Sequence, residues 1–284
     1  MEYTQIIIIG PARSGTNMLR DILTSIDGFE SWDCDEINPI WRYGNRGYPN
    51  DEIPVSKLTP DIKKYIKRRF YRLYRRSKSK FIVEKTCANS LRLEFVFNIF
   101  PEAKYIIINR DGRDVTPSAM KRWEASFELK YSLKKLRYVP LADLFYYLSR
   151  FGINRIKKIG QKSKILSFWG PLYKGISKDI TKKSSLEICA NQWKHCAENI
   201  LQQRVKIPTK NILDFKYESF VKNPIDEMKR FSKFLKLELS EEKIKELVSG
   251  VSDRSVGSYK KQFNAEEIDL LEEITRPTLD KLNY

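Results

Sequence analysis

The sequence predicts an α/β protein with a three-layer fold, in which a central parallel sheet is flanked by helices on both faces. Four short apolar stretches have the length and the β-branched content of strands, at 3–9, 80–83, 104–108 and 211–215. Two of them are apolar at nearly every position, which is typical of strands buried on both faces of a sheet. Helical patterns separate the strands, so the chain alternates between the two types of element.

Apolar residues at helical spacing predict helices at 17–26, 60–76, 90–100, 115–136, 186–204, 225–235 and 241–248. The region 124–185 interrupts the alternation and is rich in aromatic and basic residues. We interpret it as a helical insertion over the site; a solvated basic face with its aromatics in a small satellite core is the alternative. With 284 residues and no flexible linker, the chain is expected to form a single domain over 1–284.

The net charge of +17 is unevenly distributed along the chain. Residues 121–183 contain sixteen Lys or Arg and four Asp or Glu, which predicts an anionic partner for this stretch. No apolar run is long enough to span a membrane, and the first residues show no signal-peptide pattern. Four scattered cysteines and a single histidine give neither a disulfide framework nor zinc-ligand spacing. We therefore expect a cytoplasmic protein without a bound metal, with peripheral membrane contact left open.

A glycine-containing loop connects the first predicted strand to the first helix, with the sequence Gly10-Pro11-Ala12-Arg13-Ser14-Gly15-Thr16-Asn17. This P-loop-like arrangement directs backbone N–H groups and the positive end of a helix dipole to one point, which suits a phosphate or sulfate. Gly10 and Gly15 fit the signature G-x-x-x-x-G-K-[ST], but Thr16 stands at the lysine position. The cation within the loop is Arg13. An ordinary strand-to-helix turn capped by Thr16 is the alternative.

A second basic motif follows the strand at 104–108. Arg110 leaves this strand, and Ser118 lies eight residues later, near the start of the next helix. The pair can bind a second phosphate, because the guanidinium gives bidentate charge-assisted hydrogen bonds and the hydroxyl adds a donor. The alternative for Arg110 is an ion pair with Asp111 or Asp114 at the helix start.

Together these motifs resemble the family of sulfotransferases that use 3′-phosphoadenosine 5′-phosphosulfate (PAPS). Arg13-Ser14-Gly15-Thr16-Asn17 is similar to the family's 5′-phosphosulfate loop, [KR]-S-G-T-[TN], and Arg110 with Ser118 is similar to its 3′-phosphate motif. The resemblance implies that Arg13 contacts the bridging oxygen and the sulfuryl group. It also implies that PAPS is the sulfuryl donor and that Arg110 and Ser118 bind its 3′-phosphate.

Two later segments extend this resemblance. Phe215-Lys216-Tyr217-Glu218 and the residues up to Pro224 are similar to the family's R-Y-E-D-L-x-x-x-P segment, in which the tyrosine borders the nucleotide. Tyr217 is therefore predicted to contact the adenosine, with a core tyrosine as the alternative. The segment 255–261 resembles the part of the family that closes over the nucleotide, where the candidate contacts are Arg254, Ser258 and Lys260.

Three residues compete for the role of catalytic base. Glu84-Lys85-Thr86 resembles the E-K-[ST] motif of heparan-type sulfotransferases, which implies that Glu84 is the base and that Lys85 assists at the sulfuryl group. Because neighbouring strand residues point to opposite faces, we expect Glu84 and Lys85 to leave the strand and face the same crevice as the loop. A surface ion pair is their alternative. Glu36 lies where tyrosylprotein sulfotransferases carry their glutamate base, and His195 is the third candidate.

The reaction that the resemblance implies is in-line sulfuryl transfer to a hydroxyl or amine, for which fixed cations and N–H donors can replace a metal. The basic, aromatic insertion favours an anionic or amphipathic acceptor, such as a glycan or glycolipid. Two other functions stay open. A P-loop phosphotransferase lacks its G-K-[ST] here, and a basic nucleic-acid-binding protein lacks a recognisable binding motif. We expect no nucleic-acid partner.

Overall fold

The computed structural model describes residues 2–124, 138 and 169–284. Within these residues five parallel strands form one sheet in the order β2-β3-β1-β4-β5. The strands are β1 (Thr4–Ile9), β2 (Phe29–Glu30), β3 (Phe81–Lys85), β4 (Lys104–Asn109) and β5 (Ile212–Lys216). All five are parallel, so their carboxyl ends lie along one edge of the sheet, where ligands bind in folds of this type.

The apolar pattern of β1 explains its central position. Ile6, Ile7, Ile8 and Ile9 are each at most 1% exposed. Successive side chains of a strand point to opposite faces, so Ile7 and Ile9 enter one core while Ile6 and Ile8 enter the other. The sheet is therefore covered on both faces, as the continuous apolar run predicts.

Helices lie between and beyond the strands. In the described residues they are α1 (Thr16–Thr24), α2 (Asn38–Trp41), α3 (Pro60–Ser77), α4 (Leu93–Ile99), α5 (Gly112–Glu124), α6 (Ile176–Asp179), α7 (Ser185–Arg204), α8 (Tyr217–Lys222), α9 (Pro224–Leu235), α10 (Glu241–Val248) and α11 (Ala265–Lys281). The core on the first face packs side chains of α3 and α4. The core on the second face packs side chains of α1, α9 and α10.

Local sequence sets several helix boundaries. Thr59 accepts the N–H of Ile62 and caps α3, and Pro60 supplies the fixed φ that suits a first helical residue. Helices α7 and α11 each begin with a capping box, formed by Ser184 with Glu187 and by an equivalent Asn and Glu pair. These starts depend on contacts within one turn, so they can be recognised in the sequence.

The predicted fold class, a parallel sheet flanked by helices, is confirmed. The sequence did not predict β2, α11 or the short helices α2, α6 and α8. The helix expected at 90–100 is a 3-10 turn at Cys87–Leu91 followed by α4. The proposed insertion at 124–185 lies largely outside the described residues, so its helical character stays a prediction. In the described part of the chain, none of the helices combines the length and the apolar character needed to cross a bilayer.

Candidate active site

The loop between β1 and α1 has the backbone of an anion-binding turn. Arg13 and Gly15 have positive φ angles of 69° and 86°. A positive φ is unusual for a residue with a side chain, and such strain is found mainly at functional sites. Turns of this kind direct successive N–H groups inward. The loop is also closely packed, since a Cβ on Gly10 would lie 2.7 Å from the carbonyl oxygen of Ile108.

Tyr217 packs directly on this loop. A Cβ on Gly15 would lie 2.6 Å from the Tyr217 ring, so only glycine fits there without displacing the ring. Tyr217 begins α8 at the end of β5 and is 7% exposed. The ring therefore borders the loop, and its predicted contact with the adenosine stays a prediction.

The fold brings the second basic motif to the same loop. Arg110 follows β4, and its Nη1 donates a hydrogen bond to the carbonyl oxygen of Arg13 at 2.8 Å. Ser118 lies on α5, and its Oγ accepts a hydrogen bond from Nε of Arg13 at 2.9 Å. The two motifs, separated by 97 residues between Arg13 and Arg110, therefore form one continuous basic surface at the carboxyl edge of the sheet.

Further contacts hold Arg110 in place. Its guanidinium carbon lies 4.1 Å from the centroid of the Tyr217 ring, and its Nη2 donates to the carbonyl oxygen of Ser255 at 3.2 Å. The hydroxyls of Tyr217 and Ser255 are 2.9 Å apart. The ion pair of Arg110 with Asp111 or Asp114 is not formed, because Asp111 pairs with Arg113. Ser255 is a contact that the sequence analysis missed, since no spacing rule links it to Arg110.

This surface is strongly positive and has polar atoms without partners. Burial and the nearby guanidinium groups of Arg122 and Arg110 lower the pKa of Arg13. Three buried side-chain atoms in the two motifs have no hydrogen-bond partner among the described residues: Ser14 Oγ, Asn17 Oδ1 and Arg110 Nε. Buried polar atoms are normally paired, so the unused donors of Ser14 and Arg110 indicate that this region is built to receive an anion. The two motifs therefore fit a ligand that carries more than one anionic group.

The segment after α10 is anchored beside this surface by Asp114 of α5. The Asp114 carboxylate accepts hydrogen bonds from the N–H of Gly257 at 2.7 Å and of Tyr259 at 3.1 Å, and from the hydroxyl of Ser258 at 3.3 Å. Arg254 and Lys260 are exposed, and their described contacts do not reach the loop. An acidic residue in the first turn of a helix is a recognisable signal, but its role as an anchor was not predicted.

Glu84 and Lys85 both remain in β3, contrary to the expectation that they leave it. Glu84 is paired in register with Ile7 and points with it into the first core, where it is 1% exposed. Its carboxylate accepts hydrogen bonds from the Thr86 hydroxyl at 2.5 Å and from Asn89 Nδ2 at 3.1 Å. Burial raises the pKa of Glu84 to about 7. Glu84 therefore does not face the crevice of the loop.

Lys85 points to the opposite face and meets Glu36. Its Nζ lies 3.4 Å from Oε1 of Glu36, and the same oxygen accepts the N–H of Cys87 at 3.3 Å. Burial lowers the pKa of Lys85, but Glu36, Cys87 and Asp35 together outweigh burial, so this pKa is raised. The Cys87 thiol lies 3.6 Å from the hydroxyl of Thr16 in the loop. The Glu36 side chain is 22% exposed and therefore lies at the accessible side of β3, near the loop.

His195 lies in the middle of α7. Its ring stacks on Tyr173 with a centroid distance of 4.3 Å, and its Nδ1 is 3.9 Å from Glu52. Burial lowers its pKa. Its described contacts include no residue of the loop or of the second motif, so the structure does not bring His195 together with them.

A family model described as the sulfotransferase domain matches residues 3–254. The chain belongs to the sulfotransferase family. Known sulfotransferase structures share its fold: the sulfotransferase domain from the curacin biosynthetic pathway, at 15% identity and a TM-score of 0.56, is matched over 99% of this chain and 98% of that one. Sulfotransferase STF9 from Mycobacterium avium, at 12% identity and a TM-score of 0.59, is matched over 99% and 77%.

Mouse sulfotransferase SULT7A1 complexed with PAP, at 12% identity and a TM-score of 0.50, is matched over 99% of this chain and 85% of that one. No curated protein sequence matches the chain at a significant level. The present sulfotransferase is thus an enzyme of the PAPS-dependent class that the two motifs resemble. Its family favours sulfuryl transfer over the phosphotransferase and nucleic-acid-binding alternatives. In the described residues, no group of three or more His, Cys, Asp or Glu side chains could hold a metal ion.

Proposed function

We propose that this sulfotransferase moves the sulfuryl group of PAPS to a hydroxyl or amine of its acceptor by in-line transfer without a metal. The observation that carries the proposal is the junction of the two basic motifs, where Arg13 donates to Ser118 and Arg110 donates to the Arg13 carbonyl. PAPS carries anionic groups at both ends of its ribose, and a single basic surface built from both motifs is suited to bind them together.

The residues of the loop are assigned to the 5′ end of the donor. The N–H groups of Gly15 to Asn17 and the guanidinium of Arg13 bind the phosphosulfate, with the unpaired Ser14 hydroxyl as a further donor. Arg110 and Ser118 bind the 3′-phosphate, and the unpaired Nε of Arg110 supports this role. Tyr217, packed between the loop and Arg110, contacts the adenosine.

Glu36 is the residue we assign as general base, in preference to Glu84. In PAPS the sulfuryl group is already bonded to its leaving group, the 5′-phosphate. A base must be within hydrogen-bond reach of the acceptor hydroxyl, and Glu36 is partly exposed near the loop while Glu84 is enclosed in the core. The Lys85 ammonium, 3.4 Å from Glu36 Oε1, holds the Glu36 carboxylate in place beside the loop.

The cations of the site then balance the charge that develops during transfer. Arg13 lies in the loop itself, and Lys85 stands on the strand beside it. Fixed charges of this kind need no reorganisation at the moment of reaction, which is why they are effective in catalysis. Arg13 and Lys85 therefore stabilise the sulfuryl oxygens, and Glu36 takes the acceptor proton.

The acceptor proposed is a glycan or glycolipid with anionic or amphipathic character. The basic and aromatic composition of residues 124–185 supports it. We further propose that the chain is one domain over 1–284, acts in the cytoplasm and has no nucleic-acid partner. The spacing of the four cysteines in the sequence, which forms no disulfide framework, supports a reducing compartment.

The test is incubation of the purified protein with PAPS labelled in its sulfuryl group, together with extracted glycans, lipids and small metabolites. We expect label to appear in one acceptor class. A thermal-shift comparison completes the test: 3′-phosphoadenosine 5′-phosphate (PAP) should stabilise the protein, whereas ATP with magnesium should not. A protein that transfers no label and is not stabilised by PAP would contradict the proposal.

A further inference from the structure

Helix α3 carries a high concentration of positive charge. Its 18 residues include eight Lys or Arg and one acid, Asp61. The apolar face, Ile62, Ile66, Phe70 and Leu73, is buried in the first core. The opposite face carries the exposed basic residues Lys64, Lys67, Arg68, Arg72, Arg75 and Arg76. At 1.5 Å per residue the helix presents these charges along about 27 Å.

Other helices of the described part pair many of their basic side chains with acids, as in Arg113–Asp111, Lys183–Asp179, Arg230–Glu227 and Arg276–Glu272. Within residues 2–124, 138 and 169–284, none of the eight basic side chains of α3 forms an ion pair with a carboxylate. Burial and the adjacent Lys63 lower the pKa of Lys67. The basic side chains of α3 therefore repel one another, whereas acids on other helices reduce such repulsion. An external anionic surface would reduce it at α3.

We propose that the exposed face of α3 binds an anionic lipid bilayer. Tyr71 is 40% exposed at the middle of this face, and Arg75 Nη1 donates to its hydroxyl at 3.4 Å. Lys and Arg combined with an exposed tyrosine are typical of surfaces that lie in the headgroup region. Only residues 78–80 separate α3 from β3, so α3 runs antiparallel to that strand. Its first turn therefore lies at the carboxyl edge of the sheet, which bears the site.

The experiment is co-sedimentation of the full chain with vesicles of phosphatidylcholine alone or of phosphatidylcholine with phosphatidylglycerol. We expect binding only to the anionic vesicles. Reversal of four exposed charges of α3, in the variant Lys64→Glu, Arg68→Glu, Arg72→Glu and Arg75→Glu, should weaken this binding about a hundredfold or more. PAP binding, measured in parallel, should be unchanged and shows that the variant is folded.

The matched control reverses four exposed lysines elsewhere, Lys210, Lys222, Lys229 and Lys233, and so has the same net charge. We expect the control to bind vesicles much as the native chain does. Equal losses in both variants would mean that net charge alone drives binding and would overturn the proposal. Equal binding to neutral vesicles would also overturn it. So would a result in which reversal of the α3 charges weakens binding to DNA but leaves binding to vesicles unchanged.

A different observation, the hydrogen bonding of Thr86, carries a second inference. The Thr86 side chain is fully buried, donates to Glu84 Oε1 at 2.5 Å and accepts the N–H of Ile37 at 3.1 Å. Ile37 is the residue after Glu36. Because Glu84 is enclosed in the core, this bond ties the backbone beside Glu36 to a rigid point of β3.

A second chain of contacts reaches the same segment from Glu84. Asn89 donates to Glu84 and accepts from Nε of Arg92 at 2.9 Å, and Arg92 Nη2 donates to Asn38 Oδ1 at 2.5 Å. The Arg92 side chain is fully buried and also contacts Asp51 at 3.3 Å. Both residues that follow Glu36, namely Ile37 and Asn38, are therefore held in place by hydrogen bonds that lead back to the buried Glu84 carboxylate.

We infer that Thr86 is a positioning residue, which fixes Glu36 at the donor through its bond to Ile37; this inference rests on the proposed function. Thr86→Val keeps the shape of the side chain but removes the hydroxyl, whereas Thr86→Ser keeps the hydroxyl. With the acceptor found by labelling, Thr86→Val should lower kcat about tenfold to a hundredfold. Its affinity for PAP should stay at the native value, and Thr86→Ser should recover most of the loss in kcat.

The outcomes separate this inference from the proposed function. A native chain that transfers no label contradicts both. If the native chain transfers sulfuryl groups and Thr86→Val is equally active, only the positioning role is lost. A serine variant as slow as the valine variant, or a parallel loss of PAP affinity, would show that Thr86 acts on the stability of the whole site instead.

Discussion

The two faces of β3 give neighbouring carboxylates opposite environments. The inner face is the one that packs into the first core. There Glu84 is enclosed and bonded to Thr86 and Asn89, and burial raises its pKa to about 7. The outer face is the opposite one, where Lys85 meets Glu36, which is partly exposed and near the anion-binding loop. Access to a substrate therefore separates the two glutamates, although the resemblance to the family makes each of them a candidate for the base.

The two faces of β3 also differ in their rigidity and in the chemistry that their side chains can perform. The inner face provides fixed points, since its polar groups bond to one another and to the backbone that carries Glu36. The outer face provides the charged side chain of Lys85, whose partner Glu36 lies at the edge of the sheet. We infer that the buried carboxylate supports the site while the accessible one carries out the chemistry, and the following changes test this division.

The largest effect is expected from replacing the two glutamates in turn. Glu36→Gln removes the proposed base and should lower kcat about 10²- to 10⁴-fold. Glu84→Gln keeps an oxygen that accepts the Thr86 hydroxyl, so kcat should stay within about tenfold of the native value. Both rates are measured with labelled PAPS, and both variants should keep their affinity for PAP. The reverse ranking would exchange the roles of the two faces.

A second effect appears in the pH dependence of stability. The pKa of Glu84 is about 7 in the folded protein and 4.5 as its ordinary value. The folded state therefore holds the proton more tightly, so this contribution to stability is complete below about pH 4.5 and is lost as the pH rises to about 7. The loss is on the order of 3 kcal/mol.

Urea unfolding at pH values on either side of this range measures the effect. Glu84→Gln does not titrate, so its free energy of unfolding should fall less with rising pH than that of the native protein. The difference between the two proteins removes the contribution of all other titrating groups. Equal pH dependence would mean that Glu84 is already ionised at low pH, and that the inner face is not the dry environment described above.

A third prediction concerns the basic surface at the edge of the sheet. Arg110→Lys keeps the charge but loses the guanidinium geometry, so the Kd for PAP should rise about tenfold to a hundredfold. The matched control is Arg204→Lys, which alters a surface pair with Asp214. Titration of PAP by calorimetry should show native affinity in the control. An unchanged Kd for Arg110→Lys would remove this residue from the nucleotide site.

The smallest effect is expected from the backbone of the loop. Gly15→Ala places a Cβ against Tyr217 at a residue with a positive φ. Gly175, replaced in the control Gly175→Ala, has a positive φ of similar size, but a Cβ added there has no described atom within 4 Å. Both should lose about 1 kcal/mol of stability from strain. Only Gly15→Ala should also weaken PAP binding, because the Tyr217 ring must move. Thermal unfolding and PAP titration separate the two effects; equal PAP affinity in both variants would show that the ring position is unimportant.

Much of the site could be predicted because its signals are local. The loop at Arg13 to Asn17 is recognisable from its glycines and from the strand and helix on either side. Arg110 and Ser118 follow from their spacing of eight residues at the end of another strand. The order of strands in the sheet brings these segments together at one edge, and parallel topology makes that edge predictable.

The remaining contacts could not be predicted in the same way. Ser255 meets Arg110 across 145 residues of chain, and Asp114 anchors the segment at Gly257 across 143. Neither contact has a fixed spacing, because each depends on how a late loop packs against α5. The orientation of Glu84 could not be predicted either, since the motif that contains it is the same whether the glutamate faces the crevice or the core.

The sequence by itself determined four strands of the sheet, the loop and the two basic motifs, because these depend on hydrophobic periodicity, glycine positions and charge within short segments. Tertiary structure decided which carboxylate is accessible. Alternation along β3 requires Glu84 and Lys85 to point in opposite directions, but only the packing of both cores shows that Glu84 is enclosed while Glu36, the partner of Lys85, is partly exposed. Burial, and with it the pKa and the reach of each acid, is a property of the assembled layers.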